Sequence, residues 1–179
     1  MGKGDPRAAY EQLRAAHLSA VRAALEDHAA RLDWPRERIE QYRTERLRSL
    51  LGFARERSPF HAARMAGLDP ATATVEDLAR MPPMLKKEAQ DNWDAIVTTD
   101  IDRAGAERVL AEQPWFSYTP AGLQVFSSGG SSGVRGVYVW DWDLFVTLAC
   151  LAWRWQVRAE RASGSPATAA RARRPITEA

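Results

Sequence analysis

The sequence predicts an α/β chain, with a helical N-terminal region that gives way late to its first strands. Apolar residues recur at helical spacing from Tyr10 onward, whereas β-branched and aromatic residues cluster only from Leu123. A serine- and glycine-rich run separates two of those clusters.

Asp5-Pro6 is a helix start, with Asp as N-cap and Pro at the first helical position. Tyr10, Leu13, His17, Val21 and Leu25 then line one face of a helix predicted to end near Leu32. Asp33-Trp34-Pro35 repeats the start signal, and Ile39, Tyr42, Leu47, Leu50, Leu51 and Ala54 form the apolar side of a second helix. Ser58-Pro59 opens a short third helix carrying Phe60 and Met65. It stops at Gly67, a residue able to take the left-handed conformation common at helix ends. Thr74 caps Val75-Glu76-Asp77-Leu78, with Asp77 in the favoured acidic first turn, and Met81-Pro82-Pro83 breaks that element. Another short helix is predicted from Lys86 to Trp93.

From Leu123 the pattern changes. Leu123-Gln124-Val125-Phe126 and Val137-Tyr138-Val139-Trp140 read as strands, and Asp141 or Asp143 then caps a helix running to about Arg158. That helix is apolar on most sides and is expected deep in a core.

Composition narrows the function classes. The 179 residues suffice for a hydrophobic core, and 45% hydrophobic with 27% charged residues is a globular mixture. A net charge of +2 gives no bulk reason for a nucleic-acid or membrane partner, and Arg171, Arg173 and Arg174 read as part of a solvated tail. The single cysteine, Cys150, has no intramolecular disulfide partner and lies among apolar neighbours as a small core residue. The N-terminus shows no signal-peptide core, and the apolar stretch 144–153 is about half the roughly 20 residues that span a bilayer; a cytoplasmic location is expected.

The loop between the strands runs Ser127-Ser128-Gly129-Gly130-Ser131-Ser132-Gly133-Val134-Arg135-Gly136. Glycines let backbone N–H groups approach an anion, hydroxyls donate to phosphate oxygens, and Arg135 adds a charged fork of donors. A mobile linker or a plain hairpin loop uses the same residues, and the Gly-Lys-Ser/Thr ending of a Walker A loop is missing. The apolar strands on both sides favour a loop fixed at a sheet edge.

Residues 127–133 are similar to the Ser/Thr/Gly-rich phosphate loop of the adenylate-forming enzymes, their Gly130-Ser131-Ser132-Gly133 core matching Gly-(Ser/Thr)-(Ser/Thr)-Gly. Earlier segments narrow the likeness: Ala54-Arg55-Glu56-Arg57-Ser58-Pro59-Phe60-His61, Gly67-Leu68-Asp69-Pro70, Thr74-Val75-Glu76-Asp77-Leu78 and Met81-Pro82-Pro83-Met84-Leu85-Lys86. In this order they resemble the N-terminal region of phenylacetate coenzyme A ligase-like proteins.

The resemblance implies an ATP-dependent ligase that activates a small carboxylic acid as an acyl-adenylate and passes it to coenzyme A, with Mg²⁺ sharing the phosphate charge. It implies a phosphate site of Ser127, Ser128, Gly129, Gly130, Ser131, Ser132, Gly133 and Arg135, in which Arg135 stands for the family's usual lysine. The likeness covers roughly residues 40–160, about the first third of a family member. It implies the start of an AMP-binding ligase domain over 58–161, after the helical region over 1–57 that periodicity predicts and before a tail over 162–179 whose low-complexity composition reads as flexible. The family's later motifs, an aromatic-Gly-x-Thr-Glu segment, a ribose-binding Asp and a C-terminal catalytic Lys, have no counterpart here. An incomplete ligase core, inactive by itself, is therefore expected. The alternative is a noncatalytic helical interaction module or one half of a split ligase, associating with itself or with a downstream ligase polypeptide.

The remaining candidates read as structural. His17, His28 and His61 lack metal-ligand spacing, and no protein metal site is expected. No Ser/His/Asp arrangement stands out. Lys86-Lys87 reads as a solvated helix face before an anion site, and Trp140, Trp142, Trp153 and Trp155 as core before an acyl pocket. Left exposed, such tryptophans would promote self-association.

Overall fold

The computed structural model describes residues 5–112, 118, 119, 121–129 and 133–164, and it is mostly helical with one small antiparallel sheet. The order is α1 (Pro6–Ala30), a 3₁₀ turn (Arg31–Asp33), α2 (Arg36–Arg57), α3 (Pro59–Arg64), α4 (Val75–Ala79), α5 (Lys86–Asp91), α6 (Trp93–Ile96), α7 (Arg103–Glu112), β1 (Gln124–Ser127), β2 (Val137–Trp140) and α8 (Trp142–Ser163). The chain divides into two compact units, residues 1–34 with 142–179, and residues 35–141.

In the first unit α1 packs on α8. Asp5 caps α1 by accepting from the Arg7 backbone N–H at 3.0 Å, satisfying one of the donors left open at a helix start. The two helices run in the same direction, because His17 meets Trp142 and Phe145, Val21 meets Cys150, and Glu26 pairs with Arg161. Val21, Ala29, Cys150 and Val157 form the buried seam. The sequence pattern places α8 deep in a core, but only one side of it is covered: Leu144, Leu148, Leu151 and Trp155 are exposed. Helical periodicity separates these positions from Cys150 and Val157, so α1 covers one stripe and leaves the other.

The second unit holds two apolar clusters. Leu51 and Met65 bury with Ala73 where α2 meets α3, joined by Leu47, Ala54, Leu68, Leu78 and Met81. Ser58 caps α3 by accepting from the His61 N–H and donates its own proton to the Ala95 carbonyl at 2.8 Å, so this buried hydroxyl is satisfied in both roles. Thr74 and Asp77 form the expected cap reciprocally, the carboxylate accepting the Thr74 N–H at 2.9 Å and the hydroxyl accepting the Asp77 N–H. Gly67 ends nothing by a left-handed turn. Among the described residues positive φ occurs at Gly122, Gly133 and Gly164, and α3 stops at Met65 in an ordinary conformation.

The second cluster holds the sheet. Trp93, Ala106, Val125 and Val137 are its buried residues, against Val97, Ile101, Val109, Leu110 and Val139. The hairpin pairs Gln124 with Trp140, Val125 with Val139, Phe126 with Tyr138 and Ser127 with Val137. Alternation along each strand sends the valines into the core and Phe126, Tyr138 and Trp140 to the opposite face. There Phe126 stacks on Tyr138 with centroids 5.1 Å apart and meets Trp140 edge-on at 4.3 Å.

Candidate phosphate-binding hairpin

The loop between β1 and β2 is closed at its base by Ser128 and Gly136. The Ser128 N–H donates to the Gly136 carbonyl at 2.9 Å, and the Gly136 N–H donates to the Ser128 hydroxyl oxygen at 3.0 Å. Gly136 is required there for a steric reason, since a Cβ at this position would stand 2.5 Å from the Tyr138 hydroxyl oxygen and 2.7 Å from ring carbons. Gly133, at φ 82°, turns the chain within the loop.

Helix α5 clasps this base from one side. Lys86 and Gln90 are one helical turn apart and so share a face. The Lys86 ammonium donates to Ser128 Oγ at 2.9 Å, where the loop begins. Gln90 Oε1 accepts the Val137 N–H at 2.7 Å, where the loop ends. Trp93 adds a third tie, its indole N–H donating to the Val137 carbonyl at 2.8 Å. Lys87, pointing elsewhere, pairs with Asp91 one turn on.

Helix α7 clasps the other side. Arg135 donates to Glu107 at 2.6 Å, and the same carboxylate receives Arg103, whose guanidinium also donates to Gln90 Oε1 at 2.8 Å. The hydrogen bond from Arg135 holds the Glu107 carboxyl below its usual range, opposed by partial burial and aided by Arg103.

The expected site residues fall into three groups. Ser127 and Gly129 are exposed at the entrance to the loop and Gly133 at its exit, with Ser128 half-buried beneath them. Gly130, Ser131 and Ser132 lie outside the described residues. Arg135 is placed beside the loop but is engaged by Glu107. The chain pattern does not reveal Gln90, Trp93, Arg103 or Glu107 as partners of the loop, and it reads Lys86 as solvated. A signal for α7 exists: Asp102 precedes a helix with Ala106, Val109 and Leu110 at helical spacing, and its side chain accepts the Gly105 N–H at 2.6 Å.

A separate open cleft of about 630 Å³ lies along the other face of α7. It is lined by Thr99, Ile101, Arg108, Val109, Thr119 and Leu123 among others, and by none of the described loop residues. Among the described residues no cluster of three or more His, Cys, Asp or Glu is placed to hold a metal ion, and no helix is long and apolar enough to cross a membrane. The described part of the hairpin brings together the Ser128 hydroxyl, the Lys86 ammonium and, held by Glu107, the Arg135 guanidinium. Comparison with protein-family models, curated proteins and solved structures found no match for this chain.

Proposed function

We propose that this chain carries the phosphate-binding hairpin of an ATP-dependent acyl-CoA ligase of the phenylacetate coenzyme A ligase type. One observation carries the reading: Lys86 reaches Ser128, the second serine of the run, so that an ammonium with further donor capacity stands at the base of a Ser/Gly loop. Lys86 and Ser128 would hold the β- and γ-phosphates of Mg-ATP together with backbone N–H groups of the loop. Arg135 would join them by exchanging Glu107 for phosphate oxygens. In such a ligase the bound magnesium shares the charge of the pyrophosphate leaving group, and this chain's part is to orient that group.

The test is isothermal titration of the full chain with Mg-ATP and with magnesium pyrophosphate. Weak binding is expected, reduced by Lys86→Ala, by Ser128→Ala and by the double change Ser131→Ala/Ser132→Ala. Absence of binding, or binding that none of these changes alters, would discredit the hairpin as the site. The second reading, a helical interaction module, draws support from the exposed apolar stripe of α8.

A further inference from the structure

Glu107 divides its two oxygens between two arginines. Oε1 accepts from Arg103 Nε at 3.1 Å and from Nη2 at 3.0 Å, whereas Oε2 accepts from Arg135 Nη1 at 2.6 Å. The two guanidinium groups are not held alike. Arg103 spends its remaining nitrogen, Nη1, on Gln90 Oε1 at 2.8 Å, and that same oxygen accepts the Val137 N–H at 2.7 Å, so Arg103 is tied to α7, α5 and, through Gln90, to β2. Its side chain is 28% exposed. Among the described residues Arg135 is held through Nη1 alone, and its side chain is 47% exposed.

An ion pair this open to water is held weakly. A guanidinium with most of its N–H donors uncommitted can trade a carboxylate for a phosphate group of higher charge. The trade strips one counter-charge from Glu107, and its cost depends on what stays behind. Arg103 stays: it keeps the other carboxylate oxygen neutralised, and all three of its nitrogens are already committed.

We infer that Glu107 competes with the anion for Arg135, and that Arg103, by holding the other oxygen of the same carboxylate, sets how readily Arg135 is released. The two residues of α7 are thus positioning residues that tune anion affinity in opposite directions. The inference rests on the phosphate reading of the hairpin and adds to it the pair that governs the exchange.

Titration of the full chain with magnesium pyrophosphate tests it. Glu107→Gln frees Arg135 from a charged rival and should tighten binding by roughly twofold to fivefold, the scale of one exposed ion pair. Arg103→Gln keeps a neutral donor but leaves Arg135 as the sole cation on Glu107, and should weaken binding to a similar degree. Both effects should vanish in an Arg135→Ala background, where there is nothing left to exchange. If Glu107→Gln and Arg103→Gln both weaken binding, the pair only braces the fold and the inference is overturned. A gain from Glu107→Gln that persists without Arg135 overturns it too, since the effect is then general electrostatics. Binding that depends on Lys86 and ignores both α7 changes overturns the exchange while leaving the phosphate reading intact. Absence of binding by the parent and by Glu107→Gln alike overturns both.

Discussion

Lys86 and Ser128, 42 positions apart in the chain, meet at 2.9 Å, and through this contact α5 is bound to the start of the Ser/Gly loop. An ammonium has three protons and Ser128 takes one, so Lys86 can hold the loop and still face an anion. Lys86→Ala should weaken Mg-ATP or pyrophosphate binding by about tenfold or more, the scale of one charge-assisted hydrogen bond. Lys87→Ala is the internal control: its side chain is paired with Asp91 away from the loop, and calorimetry should find its affinity unchanged.

The loop's lower edge tests packing independently of any ligand. Gly136→Ala drives a methyl into the Tyr138 ring, and overpacking of this kind costs about 1–3 kcal/mol. Urea unfolding should show that loss. Tyr138→Leu in the same chain should recover part of it by removing the ring atoms that clash. If Gly136→Ala is as stable as the parent, the Tyr138 ring does not sit against the Gly136 backbone.

Much of this fold was legible because local signals coincide with it. Asp5, Ser58 and Thr74 cap helices as their sequence contexts predict, and the valines and aromatics around residue 123 onward do form the two strands. The contacts of the site were illegible for the opposite reason. Gln90, Trp93 and Glu107 act on the hairpin through residues 28 to 47 positions away, and no local pattern encodes such distances. Lys86 and Lys87 show the limit most clearly, since adjacent, identical residues go to a loop serine and to a neighbouring aspartate, a choice set by helix rotation alone. The partial exposure of α8 escaped because an apolar composition does not say how many faces find a partner.

Glu107 gives the acid side of the stability profile a specific contributor. Arg135 first, and Arg103 after it, hold its carboxyl below the ordinary value of 4.5. A carboxyl lowered in the fold stabilises the protein above its unfolded pKa, and that contribution disappears as pH falls through the folded one. The stability difference between the parent and Glu107→Gln should therefore be largest near neutrality and shrink below pH 4.5. Thermal melts in a pH series provide the comparison, and a difference that stays constant with pH would rule out the ion pair as its source.

Histidine protonation should set in at higher pH. His17, His28 and His61 are all lowered from 6.5, chiefly by burial, and His17 packs its ring between Trp142 and Phe145 with Nε2 buried and unpartnered. A depressed histidine favours the fold above its unfolded pKa, so stability should begin to fall as pH drops below about 6.5. His17→Leu cannot take up a proton and removes the unpartnered nitrogen while keeping an apolar group against α8. It should flatten part of the decline between pH 6.5 and the carboxylate range. Equal slopes for the parent and His17→Leu would mean that His17 titrates alike in the folded and unfolded chains.

Cys150 offers a direct measure of whether α1 and α8 stay together. Its thiol is fully buried, points to the Val21 carbonyl and is pushed up in pKa by burial, so it is both inaccessible and largely un-ionised at neutral pH. A thiol reagent should react with the native chain only as fast as the helix pair opens, and promptly once urea has unfolded it. Adding Leu148→Glu, which lies on the opposite side of α8, should leave the intrinsic opening of the pair unchanged. Any protection that the parent gains at high protein concentration and the variant does not must then come from association between chains. The buried face of α8 thus reports on the helix pair, and the concentration dependence of that report on its exposed face.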